Sequence, residues 1–284
     1  MVATDSQLDL DLIVTEGLGD TSYLLASDGE ALLVDPQRDT DRFMRAAEAR
    51  TVHIRTVLET HVHNDYVSGA VELAKETGAE IAAPARGGYR FPHRGLQEGE
   101  ELRLGGLRLV AVDTPGHTPE HLAYIVYGPG SGEPLAVFTG GSLLVGSAGR
   151  TDLLGPDRTE ELTRAQSATL RRLSDLPDPV RVLPTHGGGS FCVASKAGGD
   201  RTSTMGQERE YRSASLPGSV HVFVADLPAR LDEVPRGRPV WAACASGHRS
   251  AMAASMLDGA SIPVTLLAEG GIRDVLKRCG DGGG

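Results

Sequence analysis

The side chains best equipped for chemistry are histidines. His61 and His63 stand two positions apart in Thr60-His61-Val62-His63-Asn64-Asp65. In extended backbone, residues i and i+2 face the same side, so these imidazoles can share one ion. Asp65 adds a hard oxygen donor nearby and is also a candidate catalytic residue. His117 follows the tight turn Thr114-Pro115-Gly116, and His186 follows Leu183-Pro184-Thr185. A single loop histidine is ordinarily a surface or hydrogen-bonding residue, and His53, His93 and His221 are read that way. A His-x-His-x-Asp cluster joined by two further histidines beside Gly or Pro points instead to metal ligation.

A second grouping lies near the C-terminus. The apolar run Val240-Trp241-Ala242-Ala243 ends at Cys244-Ala245-Ser246-Gly247-His248-Arg249-Ser250, and a helix is expected from about Ser250. Backbone N–H groups in a strand-loop-helix turn, aided by the positive helix N-terminus, stabilise a thiolate or a bound sulfur anion. Gly247 permits the bend. Cys244 and Arg249 are therefore candidate catalytic residues, with Ala245, Ser246, Gly247 and His248 as the binding loop.

These groups need rigid supports. Strands are expected at Leu10–Val14, Ser22–Ala26 and Ala31–Asp35, then a helix from Asp39 to Arg50. The run Ile54–Thr60 reads as a strand leading into His61. A helix at Val71–Thr77 and strands at Ala79–Ala83, Leu107–Val112, Ala123–Val126 and Leu135–Phe138 give an α/β pattern. The histidines then sit where strands end, and a sheet can hold converging ligands while loops leave a coordination position open. Beyond a Gly-, Ser- and Arg-rich linker, strands at Val220–Val224, Pro239–Ala243 and Val264–Leu267 and a helix at Arg249–Leu257 form a small α/β unit. The expected divisions are residues 1–195, a linker at 196–215, and 216–284.

At 284 residues the chain is long enough for two ordinary domains. A hydrophobic fraction of 40% with 23% charged residues is that of a soluble protein, and no apolar run nears the ~18 residues of a membrane span. The first ten residues lack a secretory signal pattern, so a cytoplasmic location is expected. A net charge of −10 opposes binding to phosphate backbones, so no nucleic-acid partner is expected. Three cysteines are too few for a disulfide framework. Whether copies of the chain associate as a homo-oligomer is left open.

Glu59–Tyr66, Thr114–Thr118, Phe138-Thr139-Gly140 and Pro184–Gly187 resemble the ordered motifs of the metallo-β-lactamase superfamily over residues 8 to 195. The resemblance implies an αββα sandwich with metal at one edge of its two sheets. Gly149-Arg150-Thr151-Asp152-Leu153 and residues 114–121 are similar to the persulfide dioxygenase branch, including its fusions to rhodanese. By that likeness Arg150 and Asp152 would orient a carboxylated thiol such as glutathione persulfide; they could equally form a structural ion pair. His121 is expected to pack or hydrogen-bond behind His117, and Cys192 to be buried. Leu216–Val222, the Cys244 loop and Leu267–Ile272 resemble the later part of a rhodanese domain, in which Cys244 would carry a persulfide; the opening strand of that domain has no counterpart.

Two positions depart from the superfamily pattern. Tyr66 stands where a second-metal histidine is usual, and Gly141 where a carboxylate bridges two metals or completes an iron site. The expectation is one divalent ion, iron(II) or zinc, on His61, His63 and His117, with Asp65 and His186 left for a weak or absent second site. The implied substrates are small thiols, persulfides or thioesters. Three functions follow: a persulfide dioxygenase with a sulfurtransferase-like Cys244, a zinc-dependent thioester hydrolase of the hydroxyacylglutathione type, or a degenerate protein that binds a sulfur ligand without turnover.

Overall fold

A computed structural model describes residues 8–193, 200–213, 227–237, 239–242 and 248–266. The chain divides into two units, residues 1–193 with 197–207, and residues 194–196 with 208–284.

The first unit is a sandwich of two six-stranded sheets. One runs in chain order: β1 (Asp9–Thr15), β2 (Asp20–Ser27), β3 (Glu30–Val34), β4 (His53–Leu58), β5 (Glu80–Pro84) and β6 (Arg94–Leu96). β1 to β3 form an antiparallel meander, and β4, β5 and β6 add in parallel. Parallel neighbours need crossovers, and α1 (Asp41–Ala49) and α2 (Ala70–Thr77) provide the first two. The second sheet is built from β7 (Glu101–Leu104), β8 (Leu107–Asp113), β9 (Leu122–Tyr127), β10 (Pro134–Gly140), β13 (Arg181–Pro184) and β14 (Ser203–Thr204). A small ribbon of β11 (Leu143–Leu144) and β12 (Ser147–Ala148) follows β10.

Strand alternation assigns the layers. On β2, Tyr23 and Leu25 join the layer between the sheets with Leu32, Leu58, Leu109, Tyr124, Phe138 and Leu183. Leu24 and Ala26 face the other way, packing with Phe43 and Ala47 of α1 and Leu73 of α2. The outer face of the second sheet, including Val137 and Val182, packs with Leu173 of α3 (Pro156–Leu173). The αββα arrangement expected from the motifs is present.

Composition reads residues 196–215 as a linker, and this needs correction. Ser203–Thr204 pairs with Arg181–Val182, and Met205 at the start of α4 (Met205–Ser213) is buried among the residues of the second sheet's outer face. Its low apolar content conceals a strand held by backbone pairing alone. In the second unit, β15 (Val240–Ala242) and β16 (Val264–Leu266) pair in parallel through α5 (His248–Gly259). The strand expected at 220–224 lies outside the described residues.

Among the described residues, no helix is long and apolar enough to cross a membrane.

Candidate metal centre

The functional histidines gather where the strands of both sheets end. β4 stops at Leu58, and the chain turns through Glu59 and Thr60 into His61 and His63. The Val62 N–H donates to Glu120 (2.9 Å), so the first histidine loop is tied to the turn carrying His117. α3 supports that turn from below: Thr169 Oγ1 donates to the Pro115 carbonyl (2.8 Å), and Gly116 lies against Gln166 so closely that a Cβ would overlap it. β13 delivers His186, whose backbone bridges to Asp20 at the start of β2.

The His61, His117 and His186 rings are buried, and each offers a ligand atom within 4.8 Å of the others. A ring nitrogen can bind a metal only when its lone pair is free, which the partner of the other nitrogen decides. Thr60 Oγ1 spends its proton on Asp35 (2.6 Å), so it accepts from His61 Nδ1 (2.8 Å). His117 Nδ1 donates to the Arg150 carbonyl (2.8 Å), which leaves Nε2 buried without a hydrogen-bond partner. His186 Nδ1 donates to Asp20 (2.9 Å). All three rings therefore turn Nε2 inward.

The separation also fits. His61 Nε2 and His186 Nε2 are 3.2 Å apart. Two nitrogens sharing a tetrahedral ion at about 2.0–2.1 Å lie roughly 3.3 Å apart. Burial opposes charge on His186, but Asp20, Cys192 and Asp65 outweigh it and hold the pKa at about 10. Burial and neighbouring histidines push His61 well below its ordinary value, and burial pushes His117 down to about 3. The two thus stay neutral, as ligands must.

His63 falls into different groupings, with Asp35 and His61 and with Asp65 and His186. Its Nε2 faces Asp35 and Glu59 at 3.2 Å each and the Tyr66 hydroxyl at 3.0 Å, and Tyr66 stacks on its ring at 4.3 Å. Burial works against a charged His63, yet the two carboxylates hold its pKa at about 10. Its Nδ1 and Asp65 Oδ1 are buried without hydrogen-bond partners. The sequence grouped His61 with His63 and His117; the structure groups His61 and His117 with His186, because the carboxylates draw His63 Nε2 away.

His121 is not available as a ligand. Its Nε2 accepts from the Gly141 N–H (2.9 Å), and its Nδ1 meets Thr114 Oγ1 (2.7 Å). It stacks on His61 at 4.8 Å and meets the His117 ring edge-on at 6.4 Å, as expected of a residue packed behind His117. Cys192 is buried, with Sγ 3.4 Å from Asp65 Oδ2, and burial raises its thiol pKa. Arg150 and Asp152 pair with each other through two hydrogen bonds of 2.9 and 2.7 Å, and the guanidinium lies 4.9 Å over the Phe191 ring. Phe191 also lines an open cleft of about 310 Å³ with Leu18, Asn64 and Asp65.

Asp20, Asp35 and Glu59 escaped the sequence reading. Asp35 directly follows the apolar strand β3 and adopts a left-handed φ of 49°. Its carboxylate accepts from the Thr60 N–H (2.7 Å), Thr60 Oγ1 and Thr185 Oγ1, joining both histidine loops. A carboxylate ending an otherwise buried strand was the one available signal.

Cys244, Ala245, Ser246 and Gly247 lie outside the described residues, as do the side chains of His248 and Arg249 and the whole of His221.

The model of the metallo-beta-lactamase superfamily matches residues 16–186. A hydroxyacylglutathione hydrolase of Methylobacillus flagellatus is 34% identical over 166 residues, which are 58% of this chain and 60% of that protein's length. The fold is similar to a metallo-beta-lactamase from Staphylococcus aureus subsp. aureus COL, with a TM-score of 0.67 and 25% identity over 87% of this chain and 71% of the other. It is also similar to ETHE1 from Myxococcus xanthus, with a TM-score of 0.61 and 25% identity over 72% of this chain and 83% of the other.

Proposed function

The chain belongs to the metallo-beta-lactamase superfamily, and from that membership and its histidine cluster we propose that it is a metal-dependent hydrolase of glutathione-type thioesters. One observation carries this reading: three inward-facing nitrogen donors with no carboxylate among them. Such a donor set suits zinc and also accepts iron(II). When bound there, the ion would polarise a thioester carbonyl and lower the pKa of bound water to about 7.

The remaining steps fall to the protein. Asp65 lines the cleft, and although burial opposes its charge, His186 and His63 keep it ionised. Its Oδ1, which has no hydrogen-bond partner, is placed to accept a proton from attacking water. Arg150 offers charge at the mouth for a substrate carboxylate, with Asp152 holding the guanidinium in plane. Phe191, 64% exposed, presents an apolar surface beside it.

A second reading is persulfide dioxygenation with Cys244 as sulfur carrier, supported by the likeness of Gly149–Leu153 to that branch. The missing carboxylate at Gly141 weighs against it, since an anionic donor helps stabilise oxidised iron. Binding of a sulfur ligand without turnover is the third.

The test is thiol release from a hydroxyacyl-glutathione thioester by zinc- and iron-loaded protein, with and without oxygen. Release that needs no oxygen and vanishes in His61→Ala supports hydrolysis, and Arg150→Ala should raise KM about tenfold or more. Oxygen uptake with glutathione persulfide and no thioester cleavage would replace this reading with the second. Binding with neither reaction would leave the third.

A further inference from the structure

We propose that this centre takes a single divalent ion per chain, held by Nε2 of His61, His117 and His186, and that Gly141 is the residue that commits the site to this set. The proposal rests on the metal-dependent reading above but not on the reaction catalysed.

The His117 ring stands in a slot walled by two glycines. A Cβ added to Gly141 would lie 2.2 Å from His117 Cδ2 and 2.8 Å from its Cγ and Nε2. On the other side, a Cβ on Gly149 would lie 2.9 Å from His117 Nδ1 and 1.9 Å from the Gly141 carbonyl oxygen. Gly141 is not among the residues with positive φ, so its backbone would accept any L-residue. Space for the ring is what requires glycine. The hydrogen bond from the Gly141 N–H to His121 fixes that wall in place. A side chain at 141 and this position of His117 exclude each other. The carboxylate that the sequence pattern leads one to expect is thus not merely missing; an imidazole fills its root.

The atoms left over do not make a second site. His186 is common to the first and third groupings, and its Nδ1 is engaged by Asp20. Asp35 already accepts from Thr60 and Thr185. The edge of His63 that faces Asp35 and Glu59 also meets Tyr66, whose hydroxyl donates to the Asp35 carbonyl at 3.1 Å. Asp20 Oδ2, Glu59 Oε2, His63 Nδ1 and Asp65 Oδ1 also lack hydrogen-bond partners, but every grouping of three close donors among the described residues draws on His61 or His186. With those two held by the first ion, no such set of three is left, and three or four protein ligands are what a tetrahedral ion ordinarily takes.

The test is a cobalt(II) titration of the chelator-stripped full chain, read by elemental analysis and by the visible ligand-field bands of the bound ion. One cobalt per chain is expected for the wild type and for His63→Gln. His117→Gln and His186→Gln should lose the bands, and Gly141→Ala should raise the Kd at least tenfold. A double-mutant comparison guards against simple misfolding: Gly141→Ala should lower thermal stability in the wild type but little when His117 is already alanine. Two cobalt ions per chain would overturn the proposal. So would loss of the bands in His63→Gln with retention in His186→Gln, or equal effects of Gly141→Ala in both backgrounds. None of these readouts involves turnover, so failure of the thioester assay and failure of this assignment are separate results.

Discussion

His61 Nε2 and His186 Nε2 lie 3.2 Å apart although 125 positions separate them in the chain. One ring is delivered by the first sheet and the other by the second, so the site is a seam between the two halves of the sandwich. Whatever joins these nitrogens also ties the sheets together.

Metal binding should therefore stabilise the first unit. A ligand at 100 times its Kd contributes ~2.7 kcal/mol, which for a unit of this size raises the unfolding midpoint by roughly 5–10 °C. Calorimetry of chelator-treated protein, before and after adding zinc, checks this. An unchanged midpoint would mean that the histidines hold no ion.

Asp20→Asn should weaken metal affinity without unfolding the protein. The carboxylate accepts from His186 Nδ1 and sets which nitrogen faces the ion. Loss of such a partner lowers affinity by about 10–100-fold. Competition against a chromophoric chelator measures it, and wild-type affinity in the variant would remove Asp20 from the positioning role.

Gly19→Ala tests the packing beneath His186. Gly19 has φ of 74°, and a Cβ there would lie 2.3 Å from the Ser190 nitrogen. Its carbonyl also accepts from the Gly187 N–H (3.0 Å). Backbone strain of this kind costs about 1–3 kcal/mol. Denaturant unfolding should show that loss together with weaker metal binding. A stable variant with intact affinity would contradict the tight approach of these loops.

Glu98→Gln should have a small, pH-dependent effect. Burial disfavours its charge, but Arg172 of α3 and the Asp113 N–H outweigh that and hold the pKa below 4.5. The folded-state pKa is depressed, so the stabilisation is present above 4.5 and is lost as pH falls through the folded value. Both partners are about half exposed, so solvent screening limits the effect to ~0.5–1 kcal/mol at pH 7. Urea melts of both forms should differ at pH 7, draw together as the pH falls below 4.5 and through the folded value, and draw together in high salt.

Much of the framework was legible in the chain itself. The meander β1 to β3, the run into His61 and the strands around His117 follow from alternating apolar residues, because one face of each strand must be buried. α3 was not legible. Its buried positions Leu162, Gln166, Thr169 and Leu173 have helical spacing, but two are polar and bond to the backbone at Ser142 and Pro115. Apolar periodicity cannot reveal a face built that way. Ser203–Thr204 was hidden for a similar reason, since backbone pairing leaves little trace in composition.

By itself the sequence determined the donor types, the placement of histidines at strand ends, and the two departures at Tyr66 and Gly141. Those are local properties of residue identity and strand period. Tertiary structure decided which nitrogens meet, because each imidazole's orientation is set by a partner elsewhere: Asp20 for His186, Arg150 for His117, and Asp35 with Glu59 for His63. Hydrogen bonds between residues as far apart as 166 positions leave no local signature. The same holds for Gly141, whose meaning changes from a lost ligand to a wall of the His117 slot only when the ring beside it is seen.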